Sequence, residues 1–164
     1  MKLMPPRPSF SPRTCAALAI LLSSLAGCSQ PEQTEAVAFA PTGTVLEFMN
    51  WHLEPVADVL WDSAGYIVTE DGEVDLQPTT QEGWDKVRNA ATVVAESGNL
   101  LMIPGYAVDS DWMEYSRGLI TAGIKAREAA QAKDADALFQ AGAQLYSVCL
   151  ACHNRYIVQT QEGG

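Results

Sequence analysis

The chain has 164 residues, with 10 lysines and arginines against 20 aspartates and glutamates, a net charge of −10. That length fits one domain, and that charge makes poor partners of nucleic acid and anionic lipid headgroups. From the N-terminus, Lys2, Arg7 and Arg13 stand ahead of an apolar run over 15–27, with no acid before Glu32. A basic start followed by a short apolar run predicts an export signal over 1–27, too short for an ordinary membrane-spanning helix.

The run ends in Leu25-Ala26-Gly27-Cys28. This tetrad resembles the lipobox of bacterial lipoproteins, which implies that Cys28 is acylated and becomes the first mature residue. Acylation of this kind supplies more than one buried chain, as stable anchoring requires. An ordinary secretory signal beside a chance cysteine is the plainer alternative. Ser29 stands where that class uses aspartate for inner-membrane retention, so the resemblance implies a periplasmic protein held at the outer membrane by lipid alone. The mature piece, 28–164, carries 7 basic residues against 20 acidic ones, a charge of −13. A partner protein with a basic docking face is expected. The polar, proline-containing stretch over 28–43 reads as a flexible tether, with the folded domain over 44–164.

Four stretches then show helical spacing. The first runs over 44–62, with Thr44 and Glu47 in a capping-box pattern. Its apolar face takes in Phe48, Met49, His52 and Leu53, and Pro55 should kink it near 51–55. Over 66–80 an irregular loop is expected, although Asp71-Gly72 could close a small hairpin. The second helix runs over 81–102, capped by Thr79 with Glu82; the third over 110–132, capped by Asp109 or Ser110; the fourth over 135–157. No strand alternates with these helices, so a parallel sheet is not expected. The expected class is all-α, an antiparallel four-helix bundle. Gly98, Gly123 and Gly142 fall on the apolar stripes, where they allow either close helix contact or room for something large and flat.

The last helix carries Cys149-Leu-Ala-Cys152-His153. With Cys15 in the leader and Cys28 acylated, these are the remaining cysteines, and idle thiols are a liability in an oxidising compartment. Four chemistries compete for them. A reactive thiol pair normally sits at a helix N-terminus, where the dipole lowers a thiol pKa; here it lies deep in a helix, towards the negative end. A disulfide between Cys149 and Cys152 constrains little and leaves His153 unexplained. Zinc needs four ligands, and His52 could join the other three, but Cys152 and His153 are neighbours pointing about 100° apart. Covalent haem accounts for all three residues: two thiols bond the vinyl groups and the next imidazole reaches the iron.

A haem-attachment motif in the last helix of a four-helix bundle resembles the class II c-type cytochromes, over about 44–157. The resemblance implies one covalent haem c, with thioethers from Cys149 and Cys152 and His153 as the proximal iron ligand. An aromatic three residues on, here Tyr156, matches the family. The basic residue that often follows is absent, Ile157 standing there, so Arg155 is the candidate for the haem propionates. Some members leave the sixth position open and bind gases; others fill it with a methionine from the first helix. Met49 stands at a comparable place, with His52 as a second candidate. The function implied is one-electron transfer between protein partners rather than enzymatic catalysis, with gas binding or a zinc-stabilised lipoprotein as alternatives. Class II proteins often form homodimers through their first two helices, and nothing in the chain specifies one. Met102 and Met113 are expected in the core. Trp51, Trp61, Trp84 and Trp112 are expected in the core or around the haem. The acidic stretch over 69–75 reads as solvated surface, and Asp58 with Asp62 as an exposed acidic edge.

Overall fold

The computed structural model describes residues 38–157. The export signal and Cys28 lie outside these residues, as does most of the tether. The end of the tether does not hang free: Ala40, Pro41 and Gly43 line a groove with Ile103 and Tyr106.

Four helices make up most of the described chain. The first, α1, is three successive pieces, Val45–Phe48, a π-helical turn Met49–Leu53, and Glu54–Trp61. Its start is fixed by the expected capping box: the Thr44 hydroxyl accepts from the Glu47 amide at 3.2 Å, and the Glu47 carboxylate accepts from the Thr44 amide at 2.8 Å. Pro55 explains the π turn. It has no N–H to offer the Trp51 carbonyl, and its ring would press on that carbonyl in a regular turn. The chain widens instead, and the Glu54 amide donates to the Met49 carbonyl five residues back. The expected kink is therefore an enlarged turn.

A hairpin follows where an irregular loop was expected. Strands β1 (Tyr66–Thr69) and β2 (Gly72–Asp75) pair antiparallel, Tyr66 opposite Asp75 and Thr69 opposite Gly72. The turn residues are Glu70 and Asp71, while Gly72 opens β2 at φ +129°, a region that disfavours side chains. All eight strand residues are exposed, as is the acidic stretch 69–75.

Helix α2 spans Gln81–Leu101. Its cap is Thr80, one residue later than expected, whose hydroxyl accepts from the Gly83 amide at 3.0 Å. Pro78 sits against Gly83, where a Cβ would meet its Cβ at 2.9 Å, so the approach of the chain sets the cap. Helix α3 spans Ser110–Ala132 and is capped by Asp109, whose carboxylate accepts from the Trp112 amide at 2.9 Å. Lys133, left-handed at φ 56°, and Asp134 reverse the chain into α4, Ala135–Tyr156. Asp134 caps α4 through the Ala137 amide.

The core lies between these helices, with Leu60, Val87, Val94, Leu138 and Leu145 almost wholly buried. Trp84 and Trp112 join it, and Trp61 is half-buried. Trp51 does not: it is 74% exposed, on the side of the π turn away from the apolar face. Met102 and Met113 are half-buried. Asp58 and Asp62 are exposed, as their spacing suggested. Among the described residues no helix is long and apolar enough to cross a membrane.

Candidate functional site

The π turn of α1, the end of α2, the first turns of α3 and the last turns of α4 converge on one apolar pocket. Met49 and Leu53 come from α1, Leu101 from α2, Trp112, Tyr115 and Leu119 from α3, and Val148, Cys149, Cys152 and His153 from α4. The wall is well fixed. Trp112 donates its indole N–H to the Leu101 carbonyl at 2.7 Å, locking the start of α3 to the end of α2. Ser116 returns its hydroxyl to the Trp112 carbonyl at 2.8 Å, so its oxygen adds no unpaired polar group.

Four of the residues singled out in the sequence thus share one wall: Met49, Cys149, Cys152 and His153. Both cysteines are half-buried and free. Burial raises the Cys149 thiol, and burial with the neighbouring Cys149 pushes Cys152 up to about 11. At neutral pH both are protonated thiols. Thiol exchange needs a thiolate, so this environment opposes a redox pair. Among the described residues no group of three histidine, cysteine or acidic side chains is placed to hold a metal ion. A zinc site therefore has no built cage.

His52 is not part of this wall. The π turn sends it into the groove on the other side of α1, beside Phe48, Trp51 and Tyr106. Its ring lies against Phe48 with centroids 4.8 Å apart, and its Nε2 is buried without a hydrogen-bond partner. That placement separates it from Cys149 and Cys152, as a fourth zinc ligand and as an iron ligand alike.

Arg155 does not line the pocket either. Its Nε lies 3.4 Å from the Asp111 carboxylate, and its guanidinium stands over the Tyr156 ring at 5.9 Å. Tyr156 ties this end of α4 down. It packs edge-on against Trp112 at 5.2 Å and donates its hydroxyl to Asp109 Oδ1 at 2.5 Å. The bond acts on both groups. It holds the Asp109 carboxyl below its usual value, and desolvation together with Asp109 pushes the Tyr156 phenol up to about 12. Nothing in the sequence linked Asp109 to Tyr156; a helix cap 47 residues away carries no pattern that marks its second partner.

The donor set suits an iron porphyrin: two thiols three apart, an imidazole beside them and a thioether in the same apolar pocket. The free space in this half-open pocket is about 30 Å³, enough for a water. Of the neighbouring helices, α1 and α4 touch one another least. No model of a known protein family matches the chain, nor does any curated protein or any solved structure.

Proposed function

We propose that the chain is an exported, lipid-anchored c-type cytochrome that carries one haem c and passes single electrons between protein partners. In this reading the four helices form an antiparallel bundle with the attachment motif in the last. Cys28 holds the acyl chains, and the protein stands in the periplasm at the outer membrane. One observation carries the haem assignment: Met49 lies in the same apolar pocket as Cys149, Cys152 and His153, a hundred residues later.

The bound group would supply a one-electron iron couple. Cys149 and Cys152 would hold it by thioether bonds, and the His153 imidazole would ligate its iron. The Met49 thioether would be a further ligand to the iron, raising the potential. The apolar side chains of Leu53, Leu101 and Leu119 line the pocket and would lower the dielectric around the bound group, which also tunes the potential. Arg155 would serve an anionic edge by exchanging Asp111 for it.

Mass spectrometry of the mature protein, purified from cells able to attach haem, tests the assignment. The expected mass is that of the lipidated polypeptide plus one haem; the polypeptide alone overturns it. A visible spectrum then separates electron transfer from gas binding. The reduced protein should not respond promptly to carbon monoxide, and Met49→Ala should turn a low-spin spectrum high-spin. A prompt carbon monoxide adduct in the unaltered protein would mean an open sixth position, the gas-binding alternative.

A further inference from the structure

Below the cysteine pocket, the seam between α1 and α4 opens into a second groove of about 600 Å³. Leu60, Trp61 and Ala64 form one side, and Phe139, Gly142 and Tyr146 the other. Its walls are apolar and rigidly set. The Trp61 indole donates to the Gly142 carbonyl at 3.1 Å, and Tyr146 meets Trp61 edge-on at 6.3 Å. Yet Phe139 is 51% and Tyr146 58% exposed. Aromatic side chains fixed in place and left in water are the residues that anchor protein interfaces.

The groove runs past Phe139 to Tyr66, Asp75 and Asp136. The hairpin beside it is exposed on every strand residue, including the cross-strand pair Ile67 and Val74. A two-stranded sheet is marginal in water without further packing. Asp75 and Asp136 line this end of the groove, Asp62 follows Trp61 in the chain, and Glu70, Asp71 and Glu73 belong to the exposed hairpin; none of the six forms an ion pair within the described residues. A second copy would bring the same carboxylates face to face, and an anionic membrane would meet them too.

We infer that this groove docks an amphipathic helix of another protein, with an apolar stripe for Phe139 and Tyr146 and lysines or arginines for the surrounding carboxylates. An open seam between two helices accepts a further helix by burying its apolar face. The flanking charges steer its approach and select against acidic partners. The inference stands apart from the haem assignment, since it uses no residue of the cysteine pocket.

The test uses the full mature protein and a synthetic amphipathic helix of leucine and lysine, with affinity measured by calorimetry. Oligolysine and the same helix with glutamate in place of lysine serve as controls. Saturable one-to-one binding of the leucine–lysine helix is expected, with little binding of either control. The double variant Phe139→Ala, Tyr146→Ala should weaken it about tenfold or more, and Asp62→Asn with Asp136→Asn should flatten its salt dependence. Should the double variant lose helicity by circular dichroism, Tyr146→Lys alters an exposed side chain and carries the same test. Unchanged affinity in these variants, or equal binding of oligolysine, would overturn the inference. So would a dimer in sedimentation that Tyr146→Lys dissolves, because the occupant would then be a second copy.

Discussion

A methyl group added at Gly123, where α3 crosses α2, would sit 2.6 Å from the Ala95 backbone nitrogen. Added at Gly142, where α4 faces α1, it would sit 3.4 Å from a Trp61 ring carbon, an ordinary contact. The two seams are built differently. At α2–α3, small residues bring backbones together, and at Gly98 a Cβ would come within 2.5 Å of both Ile120 and the Ser116 carbonyl. At α1–α4, large side chains and two thiols hold the helices apart. The first seam leaves no room for a side chain at either glycine; the second adjoins the pocket that holds Met49, Cys149, Cys152 and His153. The glycine stripes thus resolve into close contact at Gly98 and Gly123 and a shallow aromatic cover at Gly142.

Substitutions on the two sides should separate them. The largest effect is expected at the cysteine pocket: under the haem assignment, replacing both Cys149 and Cys152 with serine abolishes covalent haem retention, read by haem staining after denaturing electrophoresis. Next comes Gly123→Ala, whose methyl must displace backbone; it should cost about 2 kcal/mol in urea unfolding, and a neutral result would break the comparison. A smaller loss is expected from Asp109→Ala, which removes both the α3 cap and the Tyr156 acceptor and should lower the urea midpoint without changing its slope.

That same pair predicts two pH limits. The Asp109 carboxyl is depressed in the folded protein, so its contribution is present above its ordinary value of 3.8 and fades as pH falls below it. The Tyr156 phenol is raised from 10 to about 12, so its contribution is present below pH 10 and fades as pH rises from 10 to 12. Thermal melts of the unaltered protein and Tyr156→Phe across both ranges should show the variant losing the alkaline dependence and keeping a weaker acid one, since the Trp112 amide still bonds Asp109. The smallest effect is expected at Gly142→Ala, a gain of about 0.5 kcal/mol from helix propensity where the added methyl makes only ordinary contact.

Much of this was legible in the sequence because it is local. Period, caps and the two-residue reversal at Lys133 and Asp134 depend on neighbours, and the four helices and the Thr44 box fall where they were expected. The Thr80 cap was missed by one residue because Pro78 packing on Gly83 decides it, not the serine-threonine pattern. The hairpin was underestimated because Glu70 and Asp71 form a turn whose enabling glycine lies just after it. Trp51 was misplaced because hydrophobic side chains are expected inside, while the position itself falls off the apolar stripe. His52 was misplaced for a subtler reason: a 3.6-residue period puts it with Met49, and the turn that contains both is not 3.6 residues long.

That enlarged turn has a consequence for how the chain compares with others. One residue more than a regular coil needs is tucked between Met49 and Leu53, so everything ahead of it is rotated by roughly a quarter of a revolution relative to Glu54–Trp61. A counterpart without Pro55 could dispense with that residue, and lining the two up position by position would put the wrong side chain opposite Met49.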